Sequence, residues 1–323
     1  MEAMMFVNRP VILALALNGL LAGATAAQPH GPAPGRWTQG PAMPSSRTEV
    51  AVAEVDGKIY VVGGFGGERE LEIYDQAAER WSRGASFPRE VHHAAAVGVN
   101  GKLYVVGGYA HDWAPTNAVY EYNPAADSWR MRAPMPTPRG ALAAAVIDGK
   151  IHAVGGVGGS GRIGRSTNSN AHEVYDPAAD KWSVRAPLPT PRDHLAVAAE
   201  GGKLYAVGGR IDGDYGRNLA MNESYDPATD RWSARAPLPT ARSGIAASVL
   251  GGRIVVVGGE APTGTFNQVE AYDPKSDAWS AYARMPTARH GLGSAVVGGR
   301  MFVISGGPTP GASASTANEI FTP

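Results

Sequence analysis

Cysteine is absent from this chain of 323 residues. Its absence excludes disulfides, thiolate metal sites, a thiol nucleophile and a lipid anchor on cysteine. A folded form of this chain must therefore be stabilised by packing and hydrogen bonding. The hydrophobic fraction of 44% is large enough to supply a buried core.

An excess of one charge sign is also missing. The chain has 29 Lys and Arg residues against 29 Asp and Glu residues. Proteins that bind nucleic acids gain much of their affinity by neutralising phosphates with a basic excess. We therefore expect no nucleic-acid partner.

The chain lacks a hydrophobic run long enough to cross a bilayer. The apolar stretch at residues 11–21 is interrupted by Asn18 and is too short for about 30 Å of hydrocarbon. Arg9 precedes it and the small residues 24–27 follow it, which is the three-part pattern of a secretory signal peptide. The alternative is a membrane anchor. We predict a signal peptide at 1–27, a linker at 28–36 and a periplasmic or secreted protein without a membrane span.

Common catalytic motifs are missing as well. The chain has no Gly-Lys-Ser/Thr phosphate loop, no H-E-x-x-H and no G-x-S-x-G. Residues 159–164 satisfy G-x-G-x-x-G, but no helical segment follows to present its amide groups to a pyrophosphate. Four histidines follow a repeat Arg by one to four residues and could converge near the axis as metal ligands or as acid–base groups: His92, His93, His194 and His290. They have no carboxylates at ligand spacing. We therefore predict no cofactor and no metal.

The chain does contain three markers that recur in a fixed order, which is the signature of a repeat architecture. The first is an apolar run that ends in two glycines: Gly63-Gly64, Gly107-Gly108, Gly155-Gly156, Gly208-Gly209, Gly258-Gly259 and Gly306-Gly307. The second is a Tyr followed seven residues later by a Trp: Tyr74/Trp81, Tyr122/Trp129, Tyr175/Trp182, Tyr225/Trp232 and Tyr272/Trp279. The third is an Arg after a Pro-rich turn: Arg47, Arg89, Arg139, Arg192, Arg242 and Arg289.

Each repeat predicts four strands. A strand rich in small residues follows the Arg, and a turn such as Asn100-Gly101 joins it to a continuous apolar strand. The third strand contains the Tyr and the fourth begins at the Trp. Sheets buried on both faces without helices to cover them must stack on each other, and radial stacking leaves only short edges. The sequence therefore predicts an all-β, six-bladed propeller over residues 37–323, which we expect to be monomeric.

The two ends of the chain predict how the ring closes. Trp37 has no Tyr seven residues before it, whereas the C-terminal residues 319–323 resemble a third strand without a following Trp. We therefore predict that the segment around Trp37 supplies the fourth strand of the last blade.

These markers, at a period of about 50 residues, resemble Kelch repeats. The resemblance covers residues 37–323 and implies a propeller that binds a partner. Exported bacterial Kelch propellers include a family similar to N-acetylneuraminate epimerases. That similarity implies an alternative function, a sugar epimerase or mutarotase in which rim Arg and Glu residues bind the carboxylate and assist proton transfer.

The candidate site lies on one rim of the predicted propeller. Loops between strands 2 and 3 are long and dissimilar, and the loops from strand 4 to the next strand 1 share their rim, so we expect a protein or glycan ligand there. The six repeat arginines either surround the channel mouth or bind neighbouring carbonyl and acidic groups. Trp113 is either a platform for a sugar or cation, or an anchor onto the next blade. The ligand-binding candidates are Arg47, Arg89, Arg139, Arg192, Arg242, Arg289, Tyr109, His111, Trp113, Arg210, Tyr215, Arg217, Glu260, His92 and His290.

Two functions follow from these candidates. The first is a non-catalytic, exported binding module, because no catalytic motif is visible and a fold alone does not fix chemistry. The alternative is the epimerase, for which Glu260 and His194 are the catalytic candidates.

Overall fold

The computed structural model describes residues 33–323 apart from position 111 and positions 160–165. Throughout these residues the regular elements are β-strands, and they form six antiparallel blades of four strands each. The predicted all-β, six-bladed propeller is confirmed. The predicted signal peptide (1–27) and most of the linker (28–36) lie outside the described residues. No helix in the described part of the chain has the length and apolarity needed to cross a membrane.

Blades are numbered here in chain order. The strands before and within blades 1 and 2 are β1 (Arg36–Gln39), β2 (Ala51–Val55), β3 (Lys58–Val62), β4 (Leu71–Asp75), β5 (Arg80–Arg83), β6 (Ala95–Val99), β7 (Lys102–Val106), β8 (Val119–Asn123) and β9 (Ser128–Arg132). Blade 3 and its rim hairpin contain β10 (Ala143–Ile147), β11 (Lys150–Val154), β12 (Val157–Gly159), β13 (Ser166–Asn168), β14 (His172–Asp176) and β15 (Lys181–Val184).

Blades 4 to 6 repeat this arrangement. Blade 4 and its rim hairpin contain β16 (Ala196–Glu200), β17 (Lys203–Val207), β18 (Arg210–Ile211), β19 (Asp214–Asn218), β20 (Asn222–Asp226) and β21 (Arg231–Ala234). Blades 5 and 6 contain β22 (Ser243–Leu250), β23 (Arg253–Ala261), β24 (Gly264–Thr265), β25 (Val269–Asp273), β26 (Ala278–Ala281), β27 (Gly293–Val297), β28 (Arg300–Ile304) and β29 (Asn318–Thr322).

The first strand of each blade lies at the axis. These strands contact each other around the ring and line the central channel mainly with Ala and Val side chains. Small residues fit there because six sheets converge at the axis. The second and third strands are buried on both faces, while the fourth is exposed except near its Trp.

Ring closure follows the prediction. β1 pairs with β29 in blade 6, whose strand order is β1-β29-β28-β27. Trp37 lies opposite Phe321, at the position that a repeat Tyr occupies in the other blades. The first described strand thus joins the last blade by hydrogen bonds and closes the ring.

The repeat tryptophans connect neighbouring blades. Each indole N–H donates to a backbone carbonyl in the preceding blade's outer turn, so that a large ring is packed and its polar group is also satisfied. The six bonds measure 2.7–2.9 Å and join Trp37 to Ala283, Trp81 to Pro41, Trp129 to Ala85, Trp182 to Ala133, Trp232 to Ala186 and Trp279 to Ala236.

Five of the predicted ligand-binding arginines belong to the scaffold. None of their surface is exposed, and each forms an ion pair with a buried Glu of the third strand in its own blade. A ligand at the channel mouth cannot contact these guanidinium groups, so the ring of ligand-binding arginines is corrected to a set of buried ion pairs. The pairs are Arg47–Glu72, Arg139–Glu173, Arg192–Glu223, Arg242–Glu270 and Arg289–Glu319.

The sixth predicted arginine, Arg89, does not occupy the equivalent position. The turn Phe87-Pro88 aligns with Met43-Pro44 in blade 1, so the residue that corresponds to Arg47 is Val91. Arg89 is half-buried and donates to Thr116 Oγ1 at 3.2 Å. Blade 2 also has a Tyr, Tyr120, where the other blades have the paired Glu. In blade 2 the ion pair is therefore replaced by Val91 and Tyr120, which belong to the same hydrophobic core cluster.

One glycine marker is shifted by a residue. In five blades both glycines have positive φ, and in blade 6 the two residues with this backbone are Ser305 and Gly306, at 63° and 95°. The structural equivalent of the repeat Gly-Gly is therefore Ser305-Gly306 rather than Gly306-Gly307. Gly307 then aligns with the residue that follows Gly-Gly in the other blades.

Candidate functional site

A closed circle of backbone hydrogen bonds surrounds the channel mouth. One residue from each blade, two positions after the repeat Arg or its equivalent, donates its N–H to the carbonyl of the corresponding residue in the preceding blade. We call these residues the inner ring: Glu49, His93, Ala141, His194, Gly244 and Gly291. The six bonds are 2.7–3.1 Å long and close the circle, since Glu49 N–H donates to the Gly291 carbonyl.

Every inner-ring residue has a left-handed backbone, with φ between 49° and 64°. This conformation favours glycine, and blades 5 and 6 have glycine there. Three other blades instead carry Glu49, His93 and His194, whose polar side chains line the channel mouth at a conformational cost. Backbone outliers of this kind cluster at functional sites.

A second set of residues lies above the inner ring. These residues directly follow the Gly-Gly pair, and each forms a β-bridge to the residue before the inner-ring residue of its blade. We call them the outer ring: Phe65, Tyr109, Val157, Arg210, Glu260 and Gly307.

The two rings line a cavity of about 290 Å³ at the channel mouth. The cavity opens on the rim formed by the loops 2–3 and 4–1, where the sequence places the ligand. One side of the cavity is aromatic. The indole of Trp113 lies 5.7 Å from the ring of Phe65 in blade 1 and 5.4 Å from that of Tyr109, measured between centroids. Trp113 therefore both lines the cavity and packs onto the preceding blade.

The opposite side of the cavity is charged. Arg210 Nη1 donates to Glu260 Oε1 at 2.6 Å, its Nε lies 3.2 Å from Asp193 Oδ1, and its Nη2 lies 2.8 Å from His194 Nε2. The Arg210 guanidinium also lies over the Tyr215 ring, 5.8 Å from its centroid. The two sides together offer an apolar face and several hydrogen-bonding groups to one small molecule.

Hydrogen bonds fix the tautomer of His194. Its Nδ1 lies 2.5 Å from the Asp193 carboxylate, which accepts, while its Nε2 faces an N–H donor of Arg210. Both contacts are satisfied by the neutral imidazole with the proton on Nδ1. Burial alone would raise the pKa of Asp193, but the hydrogen bonds from His194 and Asn168 and the positive charge of Arg210 lower that pKa below its usual value.

A second acid–histidine group lies beside the first. His93 Nε2 is 3.4 Å from Glu49 Oε2, and His290 Nε2 is 3.7 Å from Glu49 Oε1 and 3.6 Å from Glu260 Oε2. Burial lowers the pKa of His93 well below its usual value, with smaller contributions from the nearby His194, His92 and Arg210. His93 is therefore neutral at neutral pH.

The predicted site residues divide into two groups. The structure brings seven of them together around the cavity: Tyr109, Trp113, His194, Arg210, Tyr215, Glu260 and His290. His92 is buried behind the wall with its Nδ1 2.6 Å from His93 Nδ1, and Arg217 is exposed on the hairpin and pairs with Asp212. His111 lies outside the described residues.

Sequence reasoning missed Phe65, Glu49 and Asp193, although it noticed His93. An alignment of the six repeats would have revealed these residues. When the repeats are aligned on their Pro-rich turns, with Phe87 opposite Met43, the inner-ring position is occupied in turn by Glu, His, Ala, His, Gly and Gly. Aligning blade 2 on Arg89 instead shifts this column by two residues and hides the pattern.

Comparison with known proteins places this architecture in a family. The Kelch-repeats domain described as "KLHDC2/KLHL20/DRC7" matches residues 51–237 and 157–321. The chain belongs to the Kelch-repeat propeller family. The resemblance inferred from the sequence is thus confirmed at the level of the fold.

Individual relatives match only over short segments or in fold. The chain is 56% identical to human Kelch-like protein 4 over 41 residues, which are 13% of this chain and 6% of that protein. It is 54% identical to mouse Kelch-like protein 1 over 37 residues, or 12% of this chain and 5% of that protein. The solved structure of a protein named YjhT superposes with a TM-score of 0.78 at 19% identity, covering 88% of this chain and 97% of YjhT. That likeness shows the fold alone.

Proposed function

We propose that this protein is an exported, non-catalytic binding module that takes one carbohydrate-sized ring into the cavity of the long-loop rim. The observation that carries the proposal is the pair of opposite walls, aromatic at Trp113 and charged at Arg210. Sugars present an apolar ring face and a hydroxyl edge, and such a cavity matches both. Its volume of about 290 Å³ lies near the lower end for small-molecule pockets. This supports a single ring rather than an oligomer.

The charges of the cavity favour a neutral or amino sugar. Glu49 and Glu260 line the cavity and Asp193 contacts its wall at Arg210, which is the one guanidinium among the described lining residues. The five repeat arginines are buried in ion pairs and offer no positive charge to an anion in the cavity. An acidic sugar would therefore add a negative charge to a cavity that already has an excess of them.

Isothermal titration calorimetry against a panel of neutral, amino and acidic monosaccharides tests the proposal. We expect a neutral or amino sugar to bind, and Trp113→Ala to lose affinity while Trp113→Phe retains most of it. Arg210→Met should abolish binding. Arg217→Met, a change on the same hairpin but outside the cavity, should leave it intact. Equal affinity in the Arg210 and Arg217 variants, or no binding by any sugar, would exclude this function.

A protein ligand that binds across the rim is the remaining form of the binding-module hypothesis. Such a partner would contact exposed loop residues, including Arg217, rather than the cavity. Loss of binding in Arg217→Met with normal binding in Arg210→Met would therefore indicate a protein partner.

The alternative, an epimerase or mutarotase, is favoured by one arrangement. Glu260 and His290 lie 3.6 Å apart on the cavity wall, and His194 presents an unprotonated Nε2 beside them. These groups can donate and accept a proton across one bound ring. Exchange spectroscopy on sugar anomers measures this activity directly. Exchange rates that are unchanged by the protein, and equal for Glu260→Gln, would eliminate the alternative.

Export is part of the proposal and rests on the sequence of residues 1–27. Fusing these residues to a reporter that is active only outside the cytoplasm should yield activity. N-terminal sequencing of the mature protein should begin after Ala26 or Ala27. A mature chain that retains Met1 would contradict export by a cleaved signal peptide.

A further inference from the structure

We propose that Glu49, His93 and His194 bind one divalent first-row transition-metal ion at the channel mouth. One carboxylate oxygen and one imidazole nitrogen from each histidine all lie within 4.8 Å of one another. Two imidazoles and one carboxylate form a donor set that suits Zn²⁺ or Fe²⁺ and leaves coordination positions open. The sequence predicts no metal because the histidines have no carboxylate at ligand spacing, and Glu49 comes from a different blade.

The geometry is close to that of a metal site. His93 Nε2 and Glu49 Oε2 are 3.4 Å apart. Two ligands about 2.1 Å from a shared tetrahedral ion lie about that far from each other. The donor nitrogen of His194 lies within 4.8 Å of the other two donor atoms, so it must approach each of them by at most about 1.4 Å to complete the triangle.

The Nδ1 atom of each histidine has a hydrogen-bonding partner on the side away from the proposed ion, as is usual for metal ligands. Asp193 accepts from His194 Nδ1, and His92 Nδ1 lies 2.6 Å from His93 Nδ1. Such partners fix the tautomer and the ring orientation of a ligating histidine.

The inner ring leaves room for the ion and for further ligands. Its other members are Ala141, Gly244 and Gly291, which have minimal side chains or none. A Cβ at Gly291 would lie 2.6 Å from Glu49 Oε1, so glycine is required there for the carboxylate to reach this position.

The charge balance also favours a cation. Glu49, Asp193 and Glu260 outnumber Arg210 by two charges, and a divalent ion would supply the difference. Arg210 Nη2 currently occupies the Nε2 lone pair of His194. The ion must displace this one bond, after which Arg210 retains its contacts with Asp193 and Glu260.

The test uses chelator-treated, untagged protein and the metal alone, so it is independent of any sugar. Titration with Co²⁺, followed by its visible ligand-field absorption, should show one ion per chain, and Zn²⁺ should displace it. Glu49→Gly, His93→Gly and His194→Gly should each lose the signal. Blades 5 and 6 already have glycine at this position, so melting temperatures should not fall. Alanine, as in blade 3, replaces glycine where a variant does not fold.

Two further variants sharpen the assignment. His290→Ser introduces the residue that blade 5 has at the same position, Ser243, and should bind Co²⁺ like the parent. Asp193→Asn keeps all three ligands and should weaken affinity about 10- to 100-fold. Absence of stoichiometric Co²⁺ and Zn²⁺ binding would overturn the proposal. So would loss of binding in His290→Ser with normal binding in His93→Gly, because the ion would then lie between Glu49, Glu260 and His290.

Discussion

At the residue scale, the buried Arg–Glu pairs connect the rim to the blade cores. Each arginine also donates to the backbone carbonyl of the first residue in the Gly-Gly pair of its blade, or of Ser305 in blade 6. Arg139 Nη1, for example, donates to the Gly155 carbonyl at 2.6 Å. The pair therefore fixes the turn from which the outer-ring residue projects. Removing one partner of a buried pair leaves an uncompensated charge, whereas replacing both by apolar residues is often tolerated. Blade 2, with Val91 and Tyr120, illustrates the second case.

Transferring the blade 2 pair to blade 3 tests this interpretation. Arg139→Val alone should destabilise the protein by about 3–5 kcal/mol, because Glu173 keeps a buried charge without its partner. The double variant Arg139→Val/Glu173→Tyr should recover much of that loss. Chemical unfolding followed by tryptophan fluorescence measures both. The same exchange at Arg192 and Glu223 serves as a control, and a double variant as unstable as the sum of the two single ones would contradict the idea.

At the scale of the strand, a buried histidine pair distinguishes blade 3. His152 on β11 and His172 on β14 are joined by a hydrogen bond of 2.9 Å between Nδ1 and Nε2, and His172 Nδ1 lies 3.3 Å from the Ala186 carbonyl. Burial lowers the pKa of His152 to about 4 and that of His172 to about 3. The pair lies in the sheet, away from the cavity, and acts on stability.

These shifts predict loss of stability in mild acid. Below the usual histidine pKa of about 6.5, the unfolded chain takes up protons that the folded chain excludes. The free energy of unfolding should therefore fall from about pH 6.5 towards pH 4, by up to about 1.4 kcal/mol per pH unit for each histidine.

The double variant His152→Tyr/His172→Asn should flatten this pH dependence. It introduces the residues that blade 4 has at these positions, Tyr205 and Asn222, and Asn222 Nδ2 donates to the Ala236 carbonyl as His172 Nδ1 does to Ala186. Denaturation midpoints between pH 7 and pH 4 supply the measurement. Parallel curves for the parent and the double variant would show that other groups control acid stability.

At the scale of the whole molecule, the sequence predicts the architecture well because the same pattern of strands and turns occurs six times along the chain. The four-strand blades, the closing strand at Trp37 and the rim on which the cavity opens all follow from the periodicity of the repeat. The roles of the repeat arginines do not, because a charge at the start of a strand can face the channel or the core. That choice depended on Glu72 and its equivalents, which lie 25 to 34 residues further along the chain.

The site is less predictable for the same reason. Glu49, His93 and His194 come from blades 1, 2 and 4 and meet only because six equivalent positions converge on one axis. Single residues within a repeat look like surface variation until the blades are aligned. Blade 2 has Val91 at the position of the repeat Arg. Taking the nearby Arg89 as the repeat Arg shifts blade 2 by two residues and hides the equivalence of His93 with Glu49 and His194.

Ring closure makes the cavity a property of the whole molecule, because inner-ring residues from all six blades are linked in one circle. Deleting residues 33–40 removes β1 and exposes the edge of β29, so blade 6 should no longer hold Gly291 against Glu49. We expect a lower melting temperature and faster proteolysis of the truncated protein. A synthetic peptide of residues 33–42, added in trans, should restore both, whereas the same peptide with Trp37→Ala should restore less because it loses the 2.7 Å bond to Ala283. If the truncated protein melts like the parent, closure by β1 does not stabilise the ring. If only the covalently attached strand is effective, chain connectivity rather than strand pairing holds the propeller together.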